Sequence, residues 1–497
     1  MKRKIIALAM VLVMSLGLLA GCSGGGGTSS GGDQKEVVNL TWYAYGNQPK
    51  NGSAVIEALN KKSAEDIGVT VDFHWINTDD SQALSLLSSG DSSVDLIFVC
   101  SWFGQYVDSA RKGYLYDMTP LLEGEFKDFY DWLPEVMWDC ARVNGNIYAF
   151  PQWKDNVATK YWYANTEFLE IPGARDAFQK STSDLDTLTP FLQIIKDWHD
   201  EDPVNNQYGA GGTAPYNFQP GGLKELPWGW EMLNTSLAIG LKVSEGDTKV
   251  RSFFEEPEAA QNYKTLKYWA ENGLSNGLEA SSAALSATIV PTVDSAMAWE
   301  GAESVLGGPA LGYEVEMQKI DGPLLTTENV QGAMNAIGAN SKHPVEAMKY
   351  LAYINMNADF ANMLAYGIEG VNWEKTEEGS LVQLNDDWTP MAWSLTSFRN
   401  LIPPAPSAAD MYTKLTGSVE DAAHTELLGF LVDNSATQDL EAACASVIAE
   451  YRPDLSCGIA EDVDAMMSEM MERLNELGYQ DIIAEYQRQV DEYLAGK

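Results

Sequence analysis

The chain has 497 residues, with 71 acidic against 32 basic side chains and a net charge of −39. A surface this acidic repels phosphate backbones and anionic lipid, which argues against nucleic-acid binding and against electrostatic adhesion to a membrane. The length allows two or three ordinary domains, or one large two-lobed unit, with a core that needs no staples. Besides Cys22 there are Cys100, Cys140, Cys444 and Cys457, without a CxxC spacing. Four buried thiols and two disulfides in any of three pairings fit this spacing equally.

In chain order, the first element is an export signal. Met1 to Lys4 is basic, Ile5 to Ala20 is apolar, and Leu19-Ala20-Gly21-Cys22 is a small-residue exit. The apolar run is short for a bilayer span, and a Gly/Ser run over 23–32 follows it. The Leu-Ala-Gly-Cys order resembles a bacterial lipobox. That resemblance implies cleavage before Cys22, acylation of its thiol, and anchoring of the mature chain through residues 22–35 as a flexible tether. Cleavage removes three basic residues and no acid, which takes the charge to −42.

Residues 37–46 read as a strand running into a loop, 52–62 as a helix, 69–75 as a strand, 81–89 as a helix, and 94–99 as a short apolar strand. Strands alternating with helices predict an α/β fold with a parallel sheet. Residues 114–122 read as a turn onto the surface. The Asn144-Gly145 pair marks a tight hairpin within 142–151, because both residues tolerate the positive φ of a primed turn. A strand over 159–165, helices over 188–198 and 258–271, and a strand over 295–299 follow. Between the two helices, 208–229 is rich in Gly, Pro and aromatics and suits a pocket-lining loop. Pro344 with Glu346 starts a helix to about residue 354, and another runs through Tyr366. Two apolar stripes close the chain, Val463, Met466, Met470, Leu474 and Leu477, then Ile482, Tyr486, Val490 and Tyr493. Core packing is the expected role of the Met-rich stripe.

The chemistry is sparse. The four histidines, His74, His199, His343 and His424, are far apart in sequence, and neither HExxH nor a His/Cys cluster occurs. No metal is expected. No phosphate-cradling glycine motif is present, so no nucleotide cofactor is expected either. The single GxSxG-like match, Gly21-Cys22-Ser23-Gly24-Gly25, falls in the signal and tether, where no strand and helix can flank it. The prominent feature is aromatic density in loop-like positions: Trp42, Tyr43 and Tyr45; Trp102 and Phe103; Trp153; Trp228 and Trp230; Trp299; Trp373; and Trp388 with Trp393. A single tryptophan is more often packed in a core. A set of aromatic faces with Asp, Glu, Asn and Lys around them suits the C–H faces and hydroxyls of a neutral sugar.

The chain resembles the extracellular solute-binding proteins of ABC importers, family 1, the carbohydrate class that includes maltose-binding protein. The resemblance rests on the lipobox, Val94-Asp95-Leu96-Ile97 leading to Trp102, 144–151 followed by 161–165, Ala296-Met297 followed by Gly301, and Asn340-Ser341-Lys342-His343-Pro344 with Ala347 and Tyr350. The last third is similar to a Gram-positive lipoprotein subgroup with an extended C-terminal region, through 366–370 with Trp373, 430–433 with Leu440 and Tyr451, and 482–494. The resemblance implies a type II periplasmic-binding-protein fold, two α/β lobes around a ligand cleft joined by hinge crossings. It assigns 36–150 plus 325–375 to one lobe and 151–324 plus 376–497 to the other. It implies a lipid-anchored, monomeric receptor on the extracellular face that captures a sugar or oligosaccharide and delivers it to a permease. Ligand positions carried over are Trp42, Tyr43, Tyr45, Trp102, Trp153, Lys154, Trp299, Glu300 and Glu303, then Glu369, Asn372 and Trp373 near a crossing. Trp228 and Trp230 join them as loop aromatics. The rival readings are a surface glycoside hydrolase using two carboxylates such as Glu300 and Asp95, and a peptide receptor on the same fold.

Overall fold

Residues 37–77, 80–217, 229–277, 291–307 and 313–497 are described by a computed structural model of the chain; the expected signal, the tether with Cys22, and Trp228 lie outside them. In β1 (Val38–Ala44), Leu40, Trp42 and Ala44 are buried at period two, as a strand with one face on a core requires. The helix α1 (Ser53–Ile67) returns the chain and stops at Gly68, whose φ of 71° is a left-handed cap. The chain then enters β2 (Val69–Trp75) and, after a second helix, β3 (Leu96–Val99), every residue of which is buried. Both strands pair in parallel with β1.

Further along come β4 (Ala149–Pro151), β5 (Val157–Asn165), β6 (Trp230–Asn234), β7 (Val293–Ala298), β8 (Val315–Leu325) and β9 (Met334–Ile337). The first sheet has the order β2-β1-β3-β9-β4, and the second β7-β5-β8. β9 runs antiparallel to β3 and β4. The first sheet is therefore mixed and not parallel throughout, because β9 enters from the far half of the chain instead of through a local helix. The second sheet is antiparallel.

Each sheet has its own core. Leu40, Trp42, Val71, Trp138, Tyr350 and Trp388 are among the buried side chains of the first. The second gathers Trp162, Phe191, Tyr263, Trp269, Met470 and Tyr486. The C-terminal helices Val463–Glu476 and Tyr479–Ala495 supply their stripes to this second core, although Leu477 reaches the surface. The chain passes between the cores at 151–157, again at 325–334, and once more near 424–430, where Leu427 and Phe430 join the second core and Leu428 the first. Hydrogen bonds tie these crossings together: Leu325 N–H donates to Ala423 O at 2.8 Å, and Gly429 N–H to Thr327 Oγ1 at 2.8 Å.

Two further expectations change. Trp388, Leu395 and Val419 pack in the first core, so the stretch from 388 to 419 lies with the first sheet and not with the second lobe. The fit is close: a Cβ on Gly52 would come within 2.7 Å of the Trp388 ring. Residues 114–122 are not a surface turn, because Leu115, Met118 and Leu122 are buried and Thr119–Glu123 is a helical turn. The Asn144-Gly145 hairpin forms, with φ of 51° and 85° between paired 142–143 and 146–147.

Candidate ligand site

A cavity of about 1250 Å³ opens where loops from both sheets meet the crossings. The loop after β3 supplies one wall. Cys100 N–H donates to Phe103 O at 2.7 Å, closing a tight turn, and Gly104 with Gln105 continues at positive φ. That turn projects Trp102 outward, half exposed, with its Nε1–H donating to Gly332 O at 3.0 Å. Tyr45 stands behind it, buried, 5.4 Å edge-on to Trp102 and 5.5 Å from Trp393. Trp393 also lines the cavity, 6.1 Å from Trp102.

From the second sheet, Trp299 follows β7 and lies 6.3 Å from Phe398 and 6.4 Å from Tyr412. Its Nε1 is buried without a hydrogen-bond partner. Ser304 and Ser407 hydroxyls meet at 2.6 Å, a second contact joining this segment to the residues after Phe398. Trp230, at the start of β6, is buried but still contributes an edge to the lining.

The charged lining lies on β5, β6, β8 and the crossings. Lys160 on β5 is the cross-strand partner of Asp321 on β8. Burial lowers the tendency of Lys160 to hold its proton, while Asp321 and Glu328 oppose that effect. Asp321 accepts from Gly229 N–H at 2.6 Å. Glu328 reaches solvent inside the cavity, yet surrounding protein raises its carboxyl above the ordinary value and Lys160 only partly compensates. Glu231, on β6 and 7% exposed, accepts from the Thr425 hydroxyl. Burial pushes its carboxyl up, with the Glu328 charge adding and Thr425 and His424 opposing. Lys154 and Asp155, at the first crossing, pair with each other.

Of the residues carried over from sequence, Trp102, Lys154, Trp230 and Trp299 line the cavity, and Tyr45 backs Trp102. The others are placed elsewhere. Trp42 is fully buried, with Nε1–H donating to Asn335 Oδ1 at 3.2 Å, because its position in β1 faces the core. Tyr43 packs on His74 at 5.2 Å on the opposite face of the strand. Trp153 is buried under the Arg399 guanidinium and donates to Thr416 O at 2.8 Å. Asn372 is buried and accepts from Ile368 N–H at 2.9 Å; Trp373 is buried and donates to Gly367 O at 2.9 Å. Both hold the loop around the exposed Glu369. Glu300 is exposed and Glu303 half-buried on the short helix Glu303–Leu306, and neither lines the cavity.

Sequence reasoning missed Lys160, Glu231, Asp321, Glu328 and Phe398. Trp393 was legible only as one more loop aromatic. Single charges in a strand carry no periodic signal, and their convergence depends on residues up to 168 positions apart, as between Lys160 and Glu328.

Asp95, one half of the hydrolase pair, is 4% exposed and accepts from Thr41 N–H at 2.9 Å and Ser341 Oγ–H at 2.5 Å. It braces the start of β3. Among the described residues, Cys100, Cys140 and Cys444 are buried free thiols, and burial pushes Cys140 up to about 12. Among the described residues no group of three His, Cys, Asp or Glu side chains is placed to hold a metal, and no helix is long and apolar enough to cross a membrane.

The family model described as bacterial extracellular solute-binding protein matches residues 45–358, and one described as a domain of unknown function, DUF3502, matches 426–495. A carbohydrate ABC transporter substrate-binding protein of Streptococcus pneumoniae is 26% identical over 518 aligned residues, covering 100% of this chain and 99% of that protein. The N-glycan transport solute-binding protein NgtS of S. pneumoniae, solved with Man1GlcNAc, superposes with a TM-score of 0.77 at 22% identity over 92% of this chain and 99% of its own. The same protein with Man5GlcNAc gives 0.74 at 23%, over 93% and 99%. The S. pneumoniae substrate-binding protein FusA with kestose gives 0.53 at 15%, over 93% and 100%. The fold is that of the periplasmic solute-binding proteins.

Proposed function

The chain belongs to the bacterial extracellular solute-binding protein family, whose model spans residues 45–358, and from that premise we propose that it captures an oligosaccharide for the permease of an ABC importer. The observation that carries the reading is the cavity between the two cores, walled by Trp102, Trp393, Trp299 and Phe398 and floored by acceptor side chains. Flat aromatic faces cover the C–H faces of sugar rings, and carboxylates accept from hydroxyls. At about 1250 Å³ it exceeds the roughly 300–1,000 Å³ of drug-sized sites, which favours several sugar units over one. Relatives crystallised with mannose–N-acetylglucosamine glycans and with kestose support a carbohydrate and supply the first probes.

Binding without turnover is the reading for the same site. Asp95 is engaged structurally, and Glu300 lies away from the lining, so the suggested hydrolytic pair does not converge there. The receptor acts as a monomer, with two lobes closing on the ligand and Cys22 holding it at the outer face of the membrane through its acyl chains.

Titration calorimetry and tryptophan fluorescence of the mature chain against an oligosaccharide panel, with peptides and amino acids alongside, test this. Saturable binding of glycans is expected; binding of peptides alone would overturn the sugar reading. Cys22→Ser should release the protein into the medium, and retention in the membrane fraction would refute the anchor.

A further inference from the structure

We infer that the cavity selects uncharged or amine-bearing oligosaccharides and rejects those carrying a carboxylate, an inference that rests on the oligosaccharide reading above. Among the described residues, the charged side chains of the lining are Lys154, Asp155, Lys160, Glu231, Asp321 and Glu328. Two lysines thus face four carboxylates. Lys154 is neutralised by Asp155 in direct contact. Lys160 stands against Asp321 in the strand register and also feels Glu328, so one ammonium serves two carboxylates. Among the described residues, Glu231 accepts a hydrogen bond from the uncharged Thr425 hydroxyl, with His424 beside it.

The excess is local. The aromatic wall is formed by Trp102, Trp393, Trp299 and Phe398, whereas Lys160 and Asp321 lie on strands of the second sheet, Glu231 on β6 and Glu328 in the crossing at 325–334. A ligand whose rings stack on the aromatic wall therefore presents its remaining groups to acceptors. Ionised carboxylates accept hydrogen bonds and donate none, so a matching ligand must supply O–H or N–H. A ligand carboxylate would bring a third like charge into a partly desolvated space and leave acceptors facing acceptors, the repulsive arrangement by which binding sites exclude wrong partners. An amine at the same place would donate and offset the excess.

The test uses the mature chain and three versions of one mannose–N-acetylglucosamine oligosaccharide: the neutral compound, the compound with one primary alcohol oxidised to a carboxylate, and the compound with its acetamide converted to a free amine. Dissociation constants are measured by calorimetry at pH 8. The carboxylate form should bind about tenfold or more weakly than the neutral one, and the amine form at least as tightly. The double variant Asp321→Asn, Glu328→Gln should narrow the gap between carboxylate and neutral forms. Equal binding of all three, or tighter binding of the carboxylate form, overturns the inference while leaving the sugar reading intact. Binding of none of the three, nor of any other glycan in the panel, removes both.

Discussion

Trp102→Ala separates ligand capture from folding. The residue is 50% exposed and contributes a ring face and one hydrogen bond from Nε1 to Gly332 O. A tryptophan offers roughly 200–250 Å², so about 100 Å² is open to a ligand. At about 25 cal/mol per Å² that area is worth about 2.5 kcal/mol if covered fully. Part of this is lost to ordering and to imperfectly matched polar groups, which leaves about 1.4 kcal/mol, or tenfold in Kd, as a lower bound. Stability should fall by about 2–3 kcal/mol, from the buried half of the ring against Tyr45 and Trp393 and the lost hydrogen bond. Trp42→Ala is the control. Its ring is fully buried against Phe73 and Tyr350, and its removal should cost about 3–5 kcal/mol of stability. Calorimetric titration with a Man–GlcNAc oligosaccharide and thermal unfolding of both variants give the two readouts. A Trp102→Ala protein that binds within threefold of the parent would refute the placement of the ligand on this ring.

Glu231→Gln should stabilise the fold at neutral pH and lose that advantage in acid. Burial raises the folded-state pKa of Glu231, so the cost of its charge is absent below the ordinary carboxylate range, grows as pH rises, and is complete above the raised value. Melting temperatures of both proteins should therefore converge toward pH 4 and diverge at pH 7. Asp462 caps the helix Val463–Glu476 by accepting from Ala465 N–H at 3.0 Å; Asp462→Ala should cost about 1 kcal/mol in chemical denaturation. Trp299→Ala removes the wedge against Phe398 and Tyr412. It should open the cleft, seen as a larger radius of gyration by solution scattering, and an unchanged radius would argue that Ser304 and Ser407 suffice to hold it.

Local pattern made much of this fold legible. The strand over β1, the Asn144-Gly145 turn, the Pro344 helix start and the C-terminal stripes are effects of residues within a few positions of one another, and they appear where expected. The order of weak motifs was enough to reach the solute-binding family. Only the tertiary structure divided the tryptophans. Trp42, Trp153, Trp373 and Trp388 are buried, whereas Trp102, Trp299 and Trp393 line the cavity, and Trp230 does both. The indole ring suits a core as well as a sugar face, so its type carries no label; the strand face and the turn beneath it decide. The acidic floor has the same cause. Lys160, Glu231, Asp321 and Glu328 are ordinary charges in the sequence, and they become a charge-selective lining only when strand register and chain crossings bring them to one place.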